Sequence, residues 1–263
     1  MSFKLLSYNI RKGGGGREAL LAEVIRGCAP DLVLLQEAVR PDVVERLAAE
    51  TGLQHWAALR GHSLAFLSRA PVVRREWHPL VRPGRGFLEV ALSGAECTLF
   101  GVHLSAVHSS WTERRRVREI NLLLEGVARR RDGFHLLAGD FNTLAPGELL
   151  ETRRLPPRLR PLVWLSGGRV RYRTIQVMLD AGYADGYRRL HPSEPGYTFP
   201  TWDPHVRLDF VFLPAGGADR LKECRVVADG PAVAAASDHF PLLARVDLEA
   251  ASPASQNEQG QGR

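Results

Sequence analysis

Cysteine is scarce and scattered: Cys28, Cys97 and Cys224 are the full set, with no CxxC spacing among them. That argues against a zinc site and fits a reducing compartment, so a cytoplasmic protein is expected. Lysine is nearly absent, with Lys4, Lys12 and Lys222 alone among 35 basic side chains. A net charge of +6 and a pI of 9.6 suit an anionic partner. A GC-rich genome gives the same arginine bias, so basicity supports a phosphate-bearing substrate without identifying nucleic acid. No apolar run approaches the roughly 20 residues needed to span a bilayer, and no stable membrane association is expected. The N-terminus lacks a signal-peptide core and cleavage site and reads as a first strand. The GxxxxGK[ST] loop is missing, and Gly13 to Gly16 read as a loose connector. No repeat and no Pro/Ser/Gly-rich linker divides the chain. Residues 1–249 are therefore expected to form one large α/β domain working as a monomer, with 250–263 a polar, disordered tail.

The stretch His135 to Thr143, HLLAGDFNT, is the most informative piece. Its apolar start reads as a buried strand, and Gly139 is expected to end it by letting the backbone turn. Asp140 and Asn142, two residues apart, point to one side if the segment is extended. A carboxylate and a carboxamide so placed can hold a metal-bound or attacking water and a phosphoryl oxygen. Alone, the same pair also reads as a strand ending in an Asx turn.

Other buried strands are expected at Phe3 to Tyr8, Asp31 to Gln36, Ser63 to Leu67 and Val72 to Trp77. Phe87 to Leu92 and Cys97 to Leu104 read as an antiparallel pair, and Arg207 to Leu213, Leu221 to Ala228 and Leu242 to Leu248 as later strands. Helical spacing marks Arg17 to Arg26, Asp42 to Glu50, Trp111 to Arg131 and Thr174 to Ala181. On the third of these, Arg114, Arg115, Arg116 and Arg118 read as a solvated face. The Arg- and Pro-rich stretch from Arg153 to Arg173 reads as an irregular insertion.

Polar residues recur where apolar runs stop: Asn9, Glu37, His103, Asp140 with Asn142, and Asp238 with His239. Asp209 lies inside a strand, where an unpaired carboxylate is costly. Their wording, YNIR (Tyr8 to Arg11), LLQE (Leu34 to Glu37), GVHL (Gly101 to Leu104), GDFN (Gly139 to Asn142), RLDFVF (Arg207 to Phe212) and SDHFPL (Ser237 to Leu242), resembles the endonuclease/exonuclease/phosphatase family. QE and GDFN alone are weak signals, whereas the ordered set is specific and spans residues 3 to 248. The resemblance implies a four-layer α/β sandwich, two packed mixed β-sheets flanked by helices, with the site at the sheet ends.

It also implies metal-assisted hydrolysis of a phosphate ester. Glu37 is then the main Mg²⁺ ligand, Mn²⁺ being an alternative ion, with Asn9 and Asp238 near the same ion. Asp140 orients or deprotonates the attacking water, and Asn142 holds that water or a phosphate oxygen. His239 contacts the phosphate with its tautomer set by Asp209, and His103 stabilises developing charge or protonates the leaving oxygen. Arg11 and Arg207 are the implied substrate-binding residues. His103 stands where the AP-endonuclease branch more often has tyrosine, so the chain looks nearer the deoxyribonuclease I and sphingomyelinase-like branches. GDFNT departs from the GDLNYR-like wording of inositol 5-phosphatases. A phosphodiesterase acting on DNA or RNA comes first by elimination. The alternatives are a phosphoesterase for a phospholipid or small metabolite, and a catalytically inactive binding module. With a nucleic-acid substrate, Arg158, Arg160, Arg169 and Arg171 become candidate backbone contacts.

Overall fold

Continuous apolar runs form the centre of the molecule, because strands covered on both faces need no polar alternation. The computed structural model describes residues 1–80, 86–94, 96–106, 110–130, 133–149, 151–154, 157 and 172–248. Arg158, Arg160, Arg169, Arg171 and the tail from 250 lie outside the described residues. In chain order the main elements are β1 (Ser2–Asn9), α1 (Glu18–Cys28), β2 (Leu32–Gln36), α2 (Pro41–Thr51), β3 (His55–Ala58), β4 (Ala65–Ser68), β5 (Val72–Pro79), β6 (Gly86–Leu92) and β7 (Cys97–His103). There follow α3 (Ser110–Arg130), β8 (Phe134–Asp140), α4 (Arg173–Asp180), β9 (Tyr183–Asp185), α5 (Gly186–Leu190), β10 (Asp209–Pro214), β11 (Leu221–Val226), α6 (Pro231–Ala236) and β12 (Leu242–Asp247).

The strands form two six-stranded sheets, ordered β11-β12-β1-β2-β4-β3 and β5-β6-β7-β8-β10-β9. Each sheet has one parallel pair near its middle, β1 with β2 and β7 with β8, among antiparallel neighbours. A parallel pair needs a long crossover, supplied by α1 in one sheet and α3 in the other. The result is a mixed-sheet sandwich between helical layers. On β2, Leu32 and Leu34 pack between the sheets while Val33 and Leu35 pack towards the helices. β10 does the same, with Val211 and Leu213 inside and Phe210 and Phe212 against the α3 and α4 layer. Each such fully buried side chain contributes roughly 1.5–3 kcal/mol. The helices follow the same logic: Leu21, Val24, Ile25 and Cys28 make one buried stripe on α1, and Ile120, Leu123 and Val127 do so on α3.

Strand parity then decides where the polar residues go. Asn9 shares the face of Leu5, His103 that of Leu99, Asp140 that of Ala138, and Asp209 that of Val211, all facing the space between the sheets. The parallel pairs deliver Asn9, His103 and Asp140 at C-terminal strand ends, and antiparallel β10 starts beside them with Asp209 opposite Asp140, so one polar cluster closes the mouth of the sandwich. Gly139 does not end its strand as the sequence suggested, since β8 runs on through Asp140. Its φ is +152°, and a Cβ there would stand 1.9 Å from the Val102 carbonyl oxygen on β7. Glycine is needed for close strand approach, which brings Asp140 opposite His103.

Candidate active site

Asn9 joins the two sheets. Its Nδ2 donates to Asp140 Oδ2 at 3.0 Å and lies 3.5 Å from Glu37 Oε1. Its Oδ1 accepts the Arg11 amide, and its own carbonyl accepts the Ser237 hydroxyl at 2.6 Å. That last bond fixes the turn carrying Asp238 and His239. His239 Nδ1 meets Asp209 Oδ2 at 2.9 Å, so the proton belongs on Nδ1 and leaves Nε2 facing Asp140 Oδ2 at 3.9 Å. His103 Nε2 approaches the same oxygen at 3.8 Å. Two imidazoles and one amide thus converge on a single carboxylate oxygen.

Asn142 departs from the extended arrangement expected of it. Its φ is +53°, its backbone N–H donates to Asp140 Oδ1 at 2.8 Å, and its Nδ2 donates to the Leu104 carbonyl. This is the Asx turn, and it braces Asp140 while leaving Asn142 at the half-buried rim. Glu37, Arg11 and Lys12 also have positive φ, so unfavourable backbone is concentrated around the cluster. The Lys12 amide donates to Glu37 Oε2, and Arg11 Nε lies 3.3 Å from Asp238 Oδ2.

The cluster has a dry interior and a wetter rim. Asn9, His103, Asp140, Asp209 and His239 are buried, whereas Glu37, Asp238 and Arg11 are half-buried. Burial, reinforced by the Asp209 charge, raises the Asp140 carboxyl to about 7 against the pull of His239. Burial alone would depress His239, but the carboxylates of Asp209, Asp140 and Asp238 prevail and lift it to about 9. The pair therefore offers an acceptor poised near neutrality beside an imidazolium.

At the mouth of the sandwich, two oxygen-rich donor sets could hold a cation. Asp140, Asp209 and His239 bring ligand atoms within 4.8 Å of one another. They are already joined to one another and to Asn9 and Asn142, with little exposure for water. Glu37 and Asp238 lie at the rim beside the buried Asn9 carboxamide, whose Nδ2 faces Glu37 and whose Oδ1 accepts the Arg11 amide, and this second set contains no sulfur ligand. A hard divalent cation that keeps several waters fits this second set better. Phe199 and Trp202, absent from the sequence-derived site, flank the cluster: the Phe199 ring lies 4.8 Å from His239, and the Arg11 guanidinium 5.9 Å from the Trp202 ring. No spacing rule marks those aromatics in advance.

Arg207, expected to bind substrate, has a guanidinium that is 1 % exposed and forks onto both oxygens of Asp185 at 2.9 and 2.6 Å. It also bonds Glu148 and lies 4.3 Å over the Phe210 ring. With its donors spent on two buried or nearly buried carboxylates, Arg207 anchors the 148 and 185 segments. Arg207→Met is expected to cost about 3–5 kcal/mol by stranding those carboxylates. Chemical denaturation checks this; unchanged stability with a raised KM would return Arg207 to the substrate.

Known proteins bear on this arrangement. Among solved structures, the chain is similar to NExo from Neisseria, titled a 3' phosphatase bound to a product DNA hairpin, with 20% identity, 93% of this chain and 99% of that chain covered, and a TM-score of 0.69. An AP endonuclease from Archaeoglobus fulgidus gives 17% identity, the same coverages and a TM-score of 0.72. An endonuclease/exonuclease/phosphatase from Beutenbergia cavernae gives 21% identity, coverage of 94% and 72%, and a TM-score of 0.70. At such identities these likenesses speak to the fold. No curated protein matches the chain significantly. The sequence model for the endonuclease/exonuclease/phosphatase family matches residues 6–239, a span that holds every residue of the cluster, and the chain belongs to that family.

Proposed function

We propose that this protein is a Mg²⁺-dependent phosphodiesterase that cuts nucleic acid. The observation that carries the reading is the convergence of His103, His239 and Asn9 on the buried Asp140 carboxylate at the mouth of the sandwich. Glu37, with Asp238 and the Asn9 carboxamide, would hold the cation, Mn²⁺ being able to replace Mg²⁺. When bound, that ion neutralises phosphate charge and favours attack by water. Asp140 accepts the proton of the attacking water, a task suited to a carboxyl raised to about 7. His239, held on Nδ1 by Asp209, presents its Nε2–H to a non-bridging phosphate oxygen and matches the negative charge growing there. His103 faces the same space and donates to the leaving oxygen. Asn142 retains one amide hydrogen for a phosphate oxygen, the other being used on Leu104. Arg11, half-exposed at the rim, is the contact for the flanking phosphate.

The names of the NExo and A. fulgidus structures support DNA as the substrate class. A hydrolysis panel tests the reading: plasmid DNA, RNA, bis-p-nitrophenyl phosphate, sphingomyelin and inositol phosphates, each with Mg²⁺ or EDTA. Nucleic acid and the small diester are expected to be cut only with the metal. Turnover confined to sphingomyelin or inositol phosphates would replace the substrate, and turnover undiminished by EDTA would overturn the metal assignment.

A further inference from the structure

Helix α3 carries arginines in two different situations. Arg116 is 2 % exposed, bonded to Glu113 and to the Ser105 carbonyl. Arg114, Arg115 and Arg118 are exposed or half-exposed, and among the described residues no carboxylate pairs with them. Surface arginines elsewhere do find acids, as in Arg40 with Asp42, Arg46 with Glu18 and Arg189 with Asp219. The reason lies in the direction of the α3 acids. Glu113 and Glu119 are buried, spent on Thr143, Thr174 and Ser105. The first three turns therefore turn their negative charge inwards and leave only positive charge outside.

Trp111 belongs to the same stripe. Positions 111, 114, 115 and 118 follow the spacing of one helix face, and these four residues line a shallow recess of about 190 Å³. The indole is 71 % exposed. An aromatic face beside unpaired guanidinium groups is the surface that polynucleotide backbones and bases select. Its place fits too: Glu113 bonds Thr143, next to Asn142, and Arg116 and Glu119 grip Ser105, two residues after His103. The helix that carries the stripe is thus packed, by its inner face, against the segments that follow His103 and Asn142.

We propose that the Trp111–Arg118 stripe binds the sugar-phosphate backbone of a polynucleotide on one side of the bond being cut. This rests on the nucleic-acid reading of the site. An anionic membrane is the weaker occupant, because one exposed indole offers little apolar area for insertion.

The test measures binding of a fluorescein-labelled oligonucleotide, single-stranded and duplex, by anisotropy across a salt series in EDTA. In the Arg114→Ala/Arg115→Ala/Arg118→Ala variant, affinity at low salt should fall and the slope of log K against log salt should flatten by about two to three units, at 0.7–0.9 per phosphate contact. The corresponding triple lysine variant should restore the slope. Trp111→Ala should weaken single-strand binding about tenfold at unchanged slope. Turnover of bis-p-nitrophenyl phosphate with Mg²⁺ should be unchanged in the alanine triple, which separates this surface from the site. Wild-type binding with an unaltered slope in the alanine triple overturns the proposal alone. Loss of phosphatidylserine-vesicle binding, with oligonucleotide binding intact, reassigns the stripe to lipid and also overturns it. Wild-type protein that neither binds nor cuts any oligonucleotide removes the nucleic-acid reading and this proposal together.

Discussion

Glu37→Gln should leave the protein folded and lower Mg²⁺-dependent turnover by about 10³-fold or more. At 1.4 kcal/mol per tenfold, that is roughly 4 kcal/mol of transition-state stabilisation. The substitution removes one negative charge from the rim set without changing side-chain length. Its structural cost is small and specific. Glu37 accepts the Lys12 amide on Oε2 and faces the Asn9 amide with Oε1. Glutamine has one oxygen for two donors, so one contact is lost, at about 1 kcal/mol. The reverse turn after β2, where residue 37 has φ +56°, is otherwise undisturbed.

Two measurements separate the metal role from a folding defect. The melting temperature should move by only a few degrees, while the Mg²⁺ concentration for half-maximal turnover rises well beyond that of the wild type. Near-normal turnover at the wild-type Mg²⁺ requirement would remove Glu37 from the metal set. The buried Asp140, Asp209 and His239 group would then be the better candidate.

What could be read in advance follows from burial. β2, β7, β8 and β10 are covered on both faces, so their apolar runs were visible without any partner. β3 (His55–Ala58) is short with every residue half-buried, and β9 has three residues; neither leaves a periodic signal. α6 was also unforeseen, although its Gly230-Pro231 start is a helix-entry signal. In the site, residues that close strands were legible because a polar side chain after an apolar run is conspicuous. The direction of a side chain was not. Arg207 precedes Asp209 by two positions, but its partners Asp185 and Glu148 lie far away in sequence. Arg116 reads in sequence as part of a solvated face with Arg114, Arg115 and Arg118, and only the fold shows that it is buried with Glu113 and Glu119. Asn142 satisfied both of its sequence readings in part, since the Asx turn forms and still holds the residue beside Asp140.

Asp209→Asn should lower turnover about 10²–10⁴-fold while leaving metal affinity close to normal. Asparagine keeps the volume but removes the charge that His239 leans on, and its amide hydrogens can turn towards Nδ1 and favour the wrong tautomer. The effect has a signature that a packing defect lacks. In metal-free protein the His239 imidazole is raised from 6.5 to about 9 by the surrounding carboxylates, of which Asp209 is the first. A histidine raised on folding stabilises most fully below about pH 6.5 and loses that contribution as pH rises through about 9. The stability difference between wild type and Asp209→Asn in EDTA should accordingly be large at pH 6 and shrink by pH 10. A shift of this size corresponds to roughly 3 kcal/mol, of which Asp209 supplies the leading share. By NMR, the His239 titration should drop by more than one pH unit in the variant, because burial is then opposed by Asp140 and Asp238 alone. An unmoved His239 midpoint, or a stability loss equal at both pH values, would make Asp209 a structural carboxylate and sever it from the chemistry of the site.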